Sequence, residues 1–134
     1  EVNWKPSRQL QLNASYSLQK AKDAFTDKAI PDAPGQQFKA NVNWLITKDW
    51  SLNSQFYWVA DRARAHNDSR SPVGNYNLVN INLIGKNVMP SLDVSFAIRN
   101  VGNVDAREPS SGAIPDDYPL ESRSYWLGMS YSFK

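Results

Sequence analysis

The protein has 134 residues, enough for one domain of ordinary size. Its 15 Lys and Arg residues against 13 Asp and Glu give a net charge of +2 with no long block of one sign, which excludes the basic footprint of a nucleic-acid-binding protein. Without Cys it has no disulfide, thiolate metal site or Cys nucleophile. The mean hydropathy is −0.57, and no apolar run approaches the roughly 18 residues that a membrane helix needs, which excludes helical spans. Membrane strands need only one apolar face over about 9–11 residues, so they are not excluded.

The opening residues "EVNW" read as the tail of a strand, and neither Met nor a leader sequence precedes them. We therefore expect the chain to be a piece of a longer protein. Apolar and polar residues then alternate with period two, which predicts strands. These strands are expected at 9–19, 38–46, 51–60, 75–86, 92–100 and 124–133.

The stretch 75–86 alternates less cleanly than the others. Val79, Ile81 and Leu83 share one face, whereas Tyr76, Leu78 and Ile84 have the opposite parity. A β-bulge within the stretch is one explanation.

The connections alternate in length along the chain. Residues 5–8, 47–50 and 87–91 form short turns, and the long polar connections cover 24–36, 62–75 and about 102–121. The fold class is therefore all-β: an antiparallel up-and-down meander of about six full strands plus a strand tail. Short turns at one end and long loops at the other are typical of bacterial outer-membrane barrels.

Aromatic residues gather near both ends of the strands, as expected for amphipathic rings at two membrane interfaces. The short-turn end carries Trp4, Trp44, Trp50, Tyr131 and Phe133, and the long-loop end carries Tyr76 and Tyr125 with Trp58 nearby.

The final strand presents five apolar side chains on one face: Tyr125, Leu127, Met129, Tyr131 and Phe133. Trp126, Gly128, Ser130 and Ser132 occupy the other face. A soluble protein would bury such an apolar face in its core, whereas an outer-membrane barrel would set it against lipid.

The last third of the chain resembles the C-terminal end of a TonB-dependent outer-membrane receptor. "LDVSFAIRNVGNVDAREPS" is similar to the family's penultimate strand and loop, and "IPDDYPLESRSYWLGMSYSF" to its last loop and closing strand. "LNASYSLQKAKD" and "DWSLNSQFYWVADR" resemble earlier strands of the same barrel. Lys134 departs from the family pattern, in which the terminal aromatic is more often the last residue.

The resemblance implies that residues 1–134 form the C-terminal part of a 22-stranded type of barrel, without its plug domain and earlier strands. It implies active transport across the outer membrane of a Gram-negative bacterium, of a ferric siderophore, with energy from TonB acting through the missing plug. The five apolar residues of the last strand match the family's C-terminal signature, which the barrel-assembly machinery reads. The outward faces would contact outer-membrane lipid.

The residues themselves indicate no catalysis and no cofactor. His66 is the single His, and a zinc site usually needs three or more protein ligands, so a solvated loop His is the simpler interpretation. Asp116 and Asp117 are adjacent and point apart, which suits a turn better than a carboxylate pair. The sequence contains neither a Gly-x-Ser-x-Gly elbow nor a phosphate-binding glycine loop. We expect that the chain is not an enzyme.

Arg62, Arg64 and Arg70 crowd the loop that contains His66. This basic rim could contact an anionic iron chelate, because loops carry function more often than scaffold. A solvated loop facing lipopolysaccharide phosphates explains it equally well.

Two other functions compete with transport. A soluble lipocalin-type barrel closes with eight strands around one cavity, and a small complete outer-membrane barrel needs at least eight strands. The chain provides fewer strands, and its inner faces are rich in Asn, Gln and Ser. Because such a piece leaves open strand edges and exposed apolar faces, we also expect the isolated chain to self-associate.

Overall fold

The computed structural model describes residues 1–20, 22, 30, 33–65, 67–110 and 114–133. These residues form strands, turns and irregular segments, with no helix. The strands are β1 (Val2–Trp4), β2 (Leu10–Leu18), β3 (Pro34–Leu45), β4 (Trp50–Arg62), β5 (Tyr76–Met89), β6 (Leu92–Arg99), β7 (Arg107–Glu108), β8 (Tyr118–Pro119) and β9 (Ser124–Tyr131). Nowhere in the described ranges does a helix qualify as a membrane span.

Seven strands form one sheet in the order β1-β2-β3-β4-β5-β6-β9, and every neighbouring pair is antiparallel. The predicted all-β meander is confirmed. The sheet is open, with β1 and β9 at its edges. Strands β7 and β8 pair separately, inside the connection between β6 and β9.

The strand ends differ from the predicted ones where pairing extends them. Strand β3 begins at Pro34 instead of residue 38, because Pro34 pairs with Arg62 at the extended end of β4. A proline is tolerated as the first residue of a strand. Strand β5 runs on to Met89, and β9 ends at Tyr131, two residues before the predicted end. The β7–β8 hairpin lies in a segment predicted to be a loop.

The two faces of the sheet stay distinct across all seven strands. One outward row reads Leu10, Trp44, Leu52, Leu83, Phe96 and Leu127 in successive cross-strand register. Leu78 pairs with Tyr57 and Ile84 with Ser51, so both lie on the polar face. The pairing is regular from Tyr76 to Gly85, and the only irregularity of the β5–β6 register falls between Gly85 and Met89. Mixed parity in β5 therefore reflects apolar residues on the inner face.

The apolar face has no protein core beneath it. Leu127 and Met129 are 69% and 70% exposed. Among the described residues, the buried apolar side chains are Ala60, Val73 and Ala106, all near the long-loop end. A sheet face this apolar and this uncovered requires another apolar medium against it.

The inner face carries two rows of carboxamides across four strands: Gln11, Asn43, Asn53 and Asn82 in one, and Asn13, Asn41, Gln55 and Asn80 in the other. The Asn53 amide donates to the Oδ1 atoms of both Asn41 and Asn43 at 2.7 Å. Neighbouring strands thus supply part of the hydrogen bonding that this face needs.

Short turns are closed by local hydrogen bonds. The Ser7 hydroxyl accepts from the backbone N–H groups of Gln9 and Leu10, and the Thr47 hydroxyl accepts from those of Asp49 and Trp50. Between β5 and β6 the turn is Pro90–Ser91, with Ser91 at a φ of 64°. Such turns hold the neighbouring strands in register.

Candidate functional site at the long-loop end

The two long connections after β4 and β6 pack against each other into what we call the loop packet: residues 63–65, 67–75, 100–110 and 114–123. The β7–β8 hairpin pairs Arg107 with Pro119 and Glu108 with Tyr118, which brings the two arms of the second connection together. The packet therefore has a backbone scaffold of its own above the sheet.

Arg62, the last residue of β4, is the buried anchor of the packet. Its side chain is fully enclosed and pairs with Glu108 Oε2 at 3.1 Å. Its guanidinium also donates to the carbonyl oxygens of Gly74 and Arg107, and it lies 4.6 Å from the ring centre of Tyr76. The Tyr76 hydroxyl donates to Glu108 Oε1 at 2.7 Å. A buried arginine with these partners holds both loops to the end of the sheet.

Arg64 joins residues that are far apart in sequence. Its two terminal nitrogens donate to the two oxygens of Asp117, both at 2.6 Å. Its Nε donates to the carbonyl oxygen of Ser71 at 2.6 Å. Its Nη1 lies 3.6 Å from Asp68 Oδ2. This bidentate pair ties the first loop to the second with a fixed geometry.

Arg70 makes a second connection between the same loops. Its Nη2 and Asp68 Oδ2 are 2.6 Å apart. Its terminal nitrogens also donate to the Ser110 hydroxyl at 3.2 Å and to the carbonyl oxygens of Ser110, Ile114 and Pro115 at 3.0–3.1 Å. Most of its donors are therefore engaged within the packet.

Asn100 closes the packet at the end of β6. It adopts a left-handed backbone conformation with a φ of 47°, which Asn tolerates better than most residues. Its buried side chain donates to the carbonyl oxygens of Val104 and Glu121 and accepts from the N–H of Val104. The Asn-Val-Gly sequence after β6 was the available signal for such a turn, and sequence analysis did not assign it a role.

The ion pairs shift the pKa values of the packet. Hydrogen bonds from Arg70 lower the pKa of Asp68 to about 2. The hydrogen bond from Arg64 lowers the pKa of Asp117, and the carboxylates raise the pKa values of Arg64 and Arg70. All four groups therefore stay charged across the physiological range.

The structure brings the three predicted arginines together, but with their charges paired inside the packet. Their side chains are 0%, 10% and 27% exposed for Arg62, Arg64 and Arg70 respectively. Asp117, interpreted from sequence as a turn residue, is the partner of Arg64. His66 lies outside the described residues. Within those residues no cluster of three or more His, Asp or Glu could hold a metal ion.

The predicted C-terminal signature lies at the open edge of the sheet. Tyr125, Leu127, Met129 and Tyr131 pair with Ile98, Phe96, Val94 and Leu92 on the apolar face. Phe133 follows β9, with its ring 4.9 Å from that of Tyr131. Gly128 leaves room for Ser95, because a Cβ there would lie 2.5 Å from the Ser95 hydroxyl.

Comparison with known proteins agrees with this architecture. The copper transporter OprC superposes with a TM-score of 0.74 at 18% identity, over 98% of this chain and 22% of that one. The ferric-catecholate import receptor Fiu of E. coli K12 gives a TM-score of 0.79 at 18% identity, over 98% of this chain and 20% of that one. The chain thus spans about a fifth of the length of either neighbour, and these likenesses support the fold. No curated protein matches the chain.

The sequence itself carries the family assignment. Residues 1–101, three quarters of the chain, match the family described as TonB dependent receptor-like, beta-barrel. That match agrees with the open seven-stranded meander, its exposed apolar face and its packed long loops. The family consists of receptors and transporters, so the expectation of a non-enzyme is confirmed. The chain belongs to the TonB-dependent receptor β-barrel family.

Proposed function

We propose that residues 1–134 are the C-terminal part of an outer-membrane active-transport receptor of a Gram-negative bacterium. One observation carries this proposal: the large apolar side chains of the outward face are exposed or half-buried on all seven strands, with no protein layer over them, while the opposite face is mainly polar. Strands β3, β4 and β5 have 12, 13 and 14 residues, more than the roughly 9–11 that a tilted membrane strand needs. Lipid would cover the outward face, and the rest of the barrel would pair with β1 and β9.

The upper limit of the lipid-facing zone is marked by polar contacts on the outward face. The Tyr16 hydroxyl donates to Gln36 Oε1 at 2.7 Å, and the Gln36 amide donates to Asp61 Oδ2 at 2.5 Å. Gln36 and Asp61 lie at the long-loop end, beyond the cross-strand row of Tyr16, Phe38 and Trp58. Polar side chains and amphipathic rings are expected where hydrocarbon gives way to headgroups and water.

The plug domain and earlier strands would be supplied by the remainder of the protein, and TonB would act through the plug. For the ligand we propose a ferric siderophore, which is supported by the ferric-catecholate receptor among the structural neighbours. The copper transporter among them makes copper the alternative. Of the three predicted arginines, only Arg70 and the partly exposed edge of Arg64 could be reached by a ligand. The loop packet would serve mainly to keep the long-loop end of the sheet in a fixed conformation.

We also propose that the five apolar residues of the last strand are read by the barrel-assembly machinery. Tyr125, Leu127 and Met129 are exposed along an open edge, where the barrel-assembly machinery could bind them. The expected consequence is that replacing Phe133 lowers the amount of receptor in the outer membrane without changing the affinity of the receptor that does assemble.

The function is tested in the bacterium that encodes the chain. We expect the complete protein in the outer-membrane fraction, and we expect deletion of its gene to abolish uptake of a radiolabelled ferric siderophore. Removing TonB should give the same loss. Loss of copper uptake alone would select the alternative ligand. A protein found in the soluble fraction, or uptake that continues without TonB, would contradict the proposal and reopen the soluble-binder interpretation.

A further inference from the structure

A cavity of about 700 Å³ opens on the polar face of the sheet at the short-turn end. Its wall consists of two neighbouring inner rows: Gln11, Asn43 and Asn53 in one, and Gln9, Leu45, Ser51 and Ile84 in the other. Leu10, Trp44 and Leu52, which lie between the two rows in sequence, also line it. The turn between β1 and β2 closes one side with Lys5, Ser7 and Arg8.

Two cations stand at the mouth of this cavity. Lys5 and Arg8 are exposed, and they are the charged residues of its lining. The Ser7 hydroxyl between them accepts from the backbone N–H groups of Gln9 and Leu10, which gives the turn a fixed shape. Within the part of the chain that the structure describes, neither cation has an ion pair. Both charges are therefore available to a partner.

Carboxylates on the neighbouring elements do not neutralise these two charges. Asp49 in the next turn lies 3.8 Å from Lys48, and Asp93 on β6 accepts from a backbone N–H near the end of β5 at 2.8 Å. Glu1 lines a separate cavity nearer the long loops, together with Lys39. The described short turns and their flanking residues carry four cations and two carboxylates: Lys5, Arg8, Lys48, Lys86, Asp49 and Asp93. The potential at this end of the inner face is therefore positive.

The wall of the cavity adds two further requirements for a partner. The carboxamides of Gln9, Gln11 and Asn43 offer both donors and acceptors, as a peptide backbone does. Leu45 is an apolar side chain on the polar face and is 41% exposed, with Ile84 in the same row. A small anion would use only the cations, whereas a peptide segment with carboxylates and an apolar side chain would use the whole surface.

The position of the cavity indicates where such a segment comes from. It lies on the face opposite the apolar one, so lipid does not reach it in the proposed membrane setting. The rest of the barrel, placed beside β1 and β9, would enclose this face, and the protein's own chain would then be the polypeptide nearest to it. The chain described here spans about a fifth of either structural neighbour, which leaves ample length for such a segment.

We propose that Lys5 and Arg8 hold an acidic segment of the protein's own chain, from outside residues 1–134, against the inner wall at the short-turn end. Carboxylates of the segment pair with the two cations, its backbone bonds to the carboxamides, and one apolar side chain packs on Leu45. The inference rests on the proposed function and adds to it a docking surface and the charge of its partner. Because exposed ion pairs are weak and are screened by salt, the contact is one that can be released.

Photo-crosslinking of the complete receptor in its membrane identifies the occupant. With Gln9 replaced by p-benzoylphenylalanine, illumination should link position 9 to a segment of the same polypeptide that contains Asp or Glu, as read by peptide mass spectrometry. A link to a phospholipid, to a different protein or to a segment without acidic residues would overturn the proposal. Absence of any link would also overturn it.

Hydrogen exchange of the purified receptor measures the contribution of charge. Lys5→Gln combined with Arg8→Gln should raise exchange in the linked segment about twofold to thirtyfold, the range for loss of two exposed ion pairs. Salt at about 0.5 M should produce a similar rise in the wild type and little further rise in this variant. Lys5→Arg combined with Arg8→Lys should keep the segment protected.

Matched controls separate docking from an effect on the barrel itself. Lys48→Gln removes a lysine of the same end that lies outside the cavity and beside Asp49, and it should leave exchange in the segment unchanged. Heat-resistant migration of the folded barrel should be the same in all variants. Unchanged exchange in the double Gln variant, or an equal rise with Lys48→Gln, would contradict the role of the two cations.

The two levels of inference fail in different ways. A receptor that resides in the outer membrane and shows TonB-dependent uptake, but gives no acidic crosslink at position 9, would overturn the docking surface alone. A protein absent from the outer membrane, or uptake that does not require TonB, would overturn the proposed function.

Discussion

Leu127 and Met129 stand exposed on the sheet, whereas Arg62, Asn100 and Ser110 are buried beneath the long loops. The sheet places its apolar side chains outward and its polar side chains inward. The loop packet buries both kinds of side chain: the small apolar residues Val73 and Ala106, and polar groups that have partners, such as Arg62 and Asp68. In the proposed membrane setting, lipid would cover the apolar face of the sheet, and water would surround the packet.

The comparison teaches that the two regions use different forces to hold their shape. Backbone hydrogen bonds along six strand pairs hold the sheet, and its outward side chains contribute once a lipid phase covers them. The packet depends on a few arginines, each with several partners. A given perturbation should therefore affect the sheet and the packet differently. Four perturbations test this difference, from the largest expected effect to the smallest.

Removing the lipid-like phase should have the largest effect. In detergent-free buffer the isolated chain should self-associate, because its two sheet edges and its apolar face are uncovered. Light scattering would show species well above 15.2 kDa, and the same chain in detergent micelles serves as the control. A monodisperse monomer in water, with Trp44 and Trp58 shielded from a quencher, would mean that the apolar face has found an internal core.

Removing the anchor of the packet should come second. Arg62→Ala in the complete receptor removes the partner of Glu108 and of two carbonyl oxygens, and each buried acceptor left unpaired costs about 1–3 kcal/mol. Hydrogen exchange should show this loss in residues 67–75 while the sheet stays protected. Arg107→Ala is the control, since its pair with Asp105 is exposed and worth about 0–1 kcal/mol. Equal exchange in the two variants would show that Arg62 does not anchor the packet.

Charge on the outward face should come third. Phe56→Arg on β4 places a guanidinium in the hydrocarbon and should cost about 2–4 kcal/mol in a bilayer. It also removes the ring contact with Phe38, whose centre lies 5.9 Å away. Gln55→Arg, one residue earlier, faces inward and should change stability little. Denaturant unfolding of the complete barrel in vesicles measures both, and similar costs would contradict the assigned faces.

Acid should give the smallest effect, confined to the packet. Asp68 has a pKa lowered from 3.8 to about 2 in the folded protein, so its stabilising contribution is present above pH 4 and is lost as the pH falls through about 2. Protection of residues 67–75 against exchange should therefore decline between pH 4 and pH 2. Asp68→Asn should remove most of this decline. A decline in protection centred near pH 6 would show that a group other than Asp68 causes it.

The sheet was predictable from sequence because each strand carries its own signal. Leu10, Leu12 and Ala14 alternate with Gln11 and Asn13, and this pattern specifies both the strand and its faces without knowledge of any partner. The ends were less predictable, since Pro34 joins β3 only through its pairing with Arg62. The β7–β8 hairpin has two residues per strand, too few for a period-two alternation of apolar and polar residues to be recognised in the sequence.

The contacts of the packet were not predictable in the same way. Arg64 and Asp117 are 53 residues apart, and no local pattern connects them. Sequence analysis did place Arg62, Arg64 and Arg70 in one functional region, because they crowd one loop. It could not show that their charges would be satisfied internally, since that depends on how the second loop folds over the first.

The two distinct faces of the seven-stranded sheet constrain how this protein can change during evolution. Insertion of one residue before Asn41 in β3 would turn every residue beyond it to the opposite face, setting Asn41 and Asn43 among the outward apolar side chains. Insertion of two residues would preserve the faces and only lengthen the strand. Viable length changes in the sheet therefore come in pairs of residues, whereas the long connections can gain or lose residues singly while the sheet stays the same.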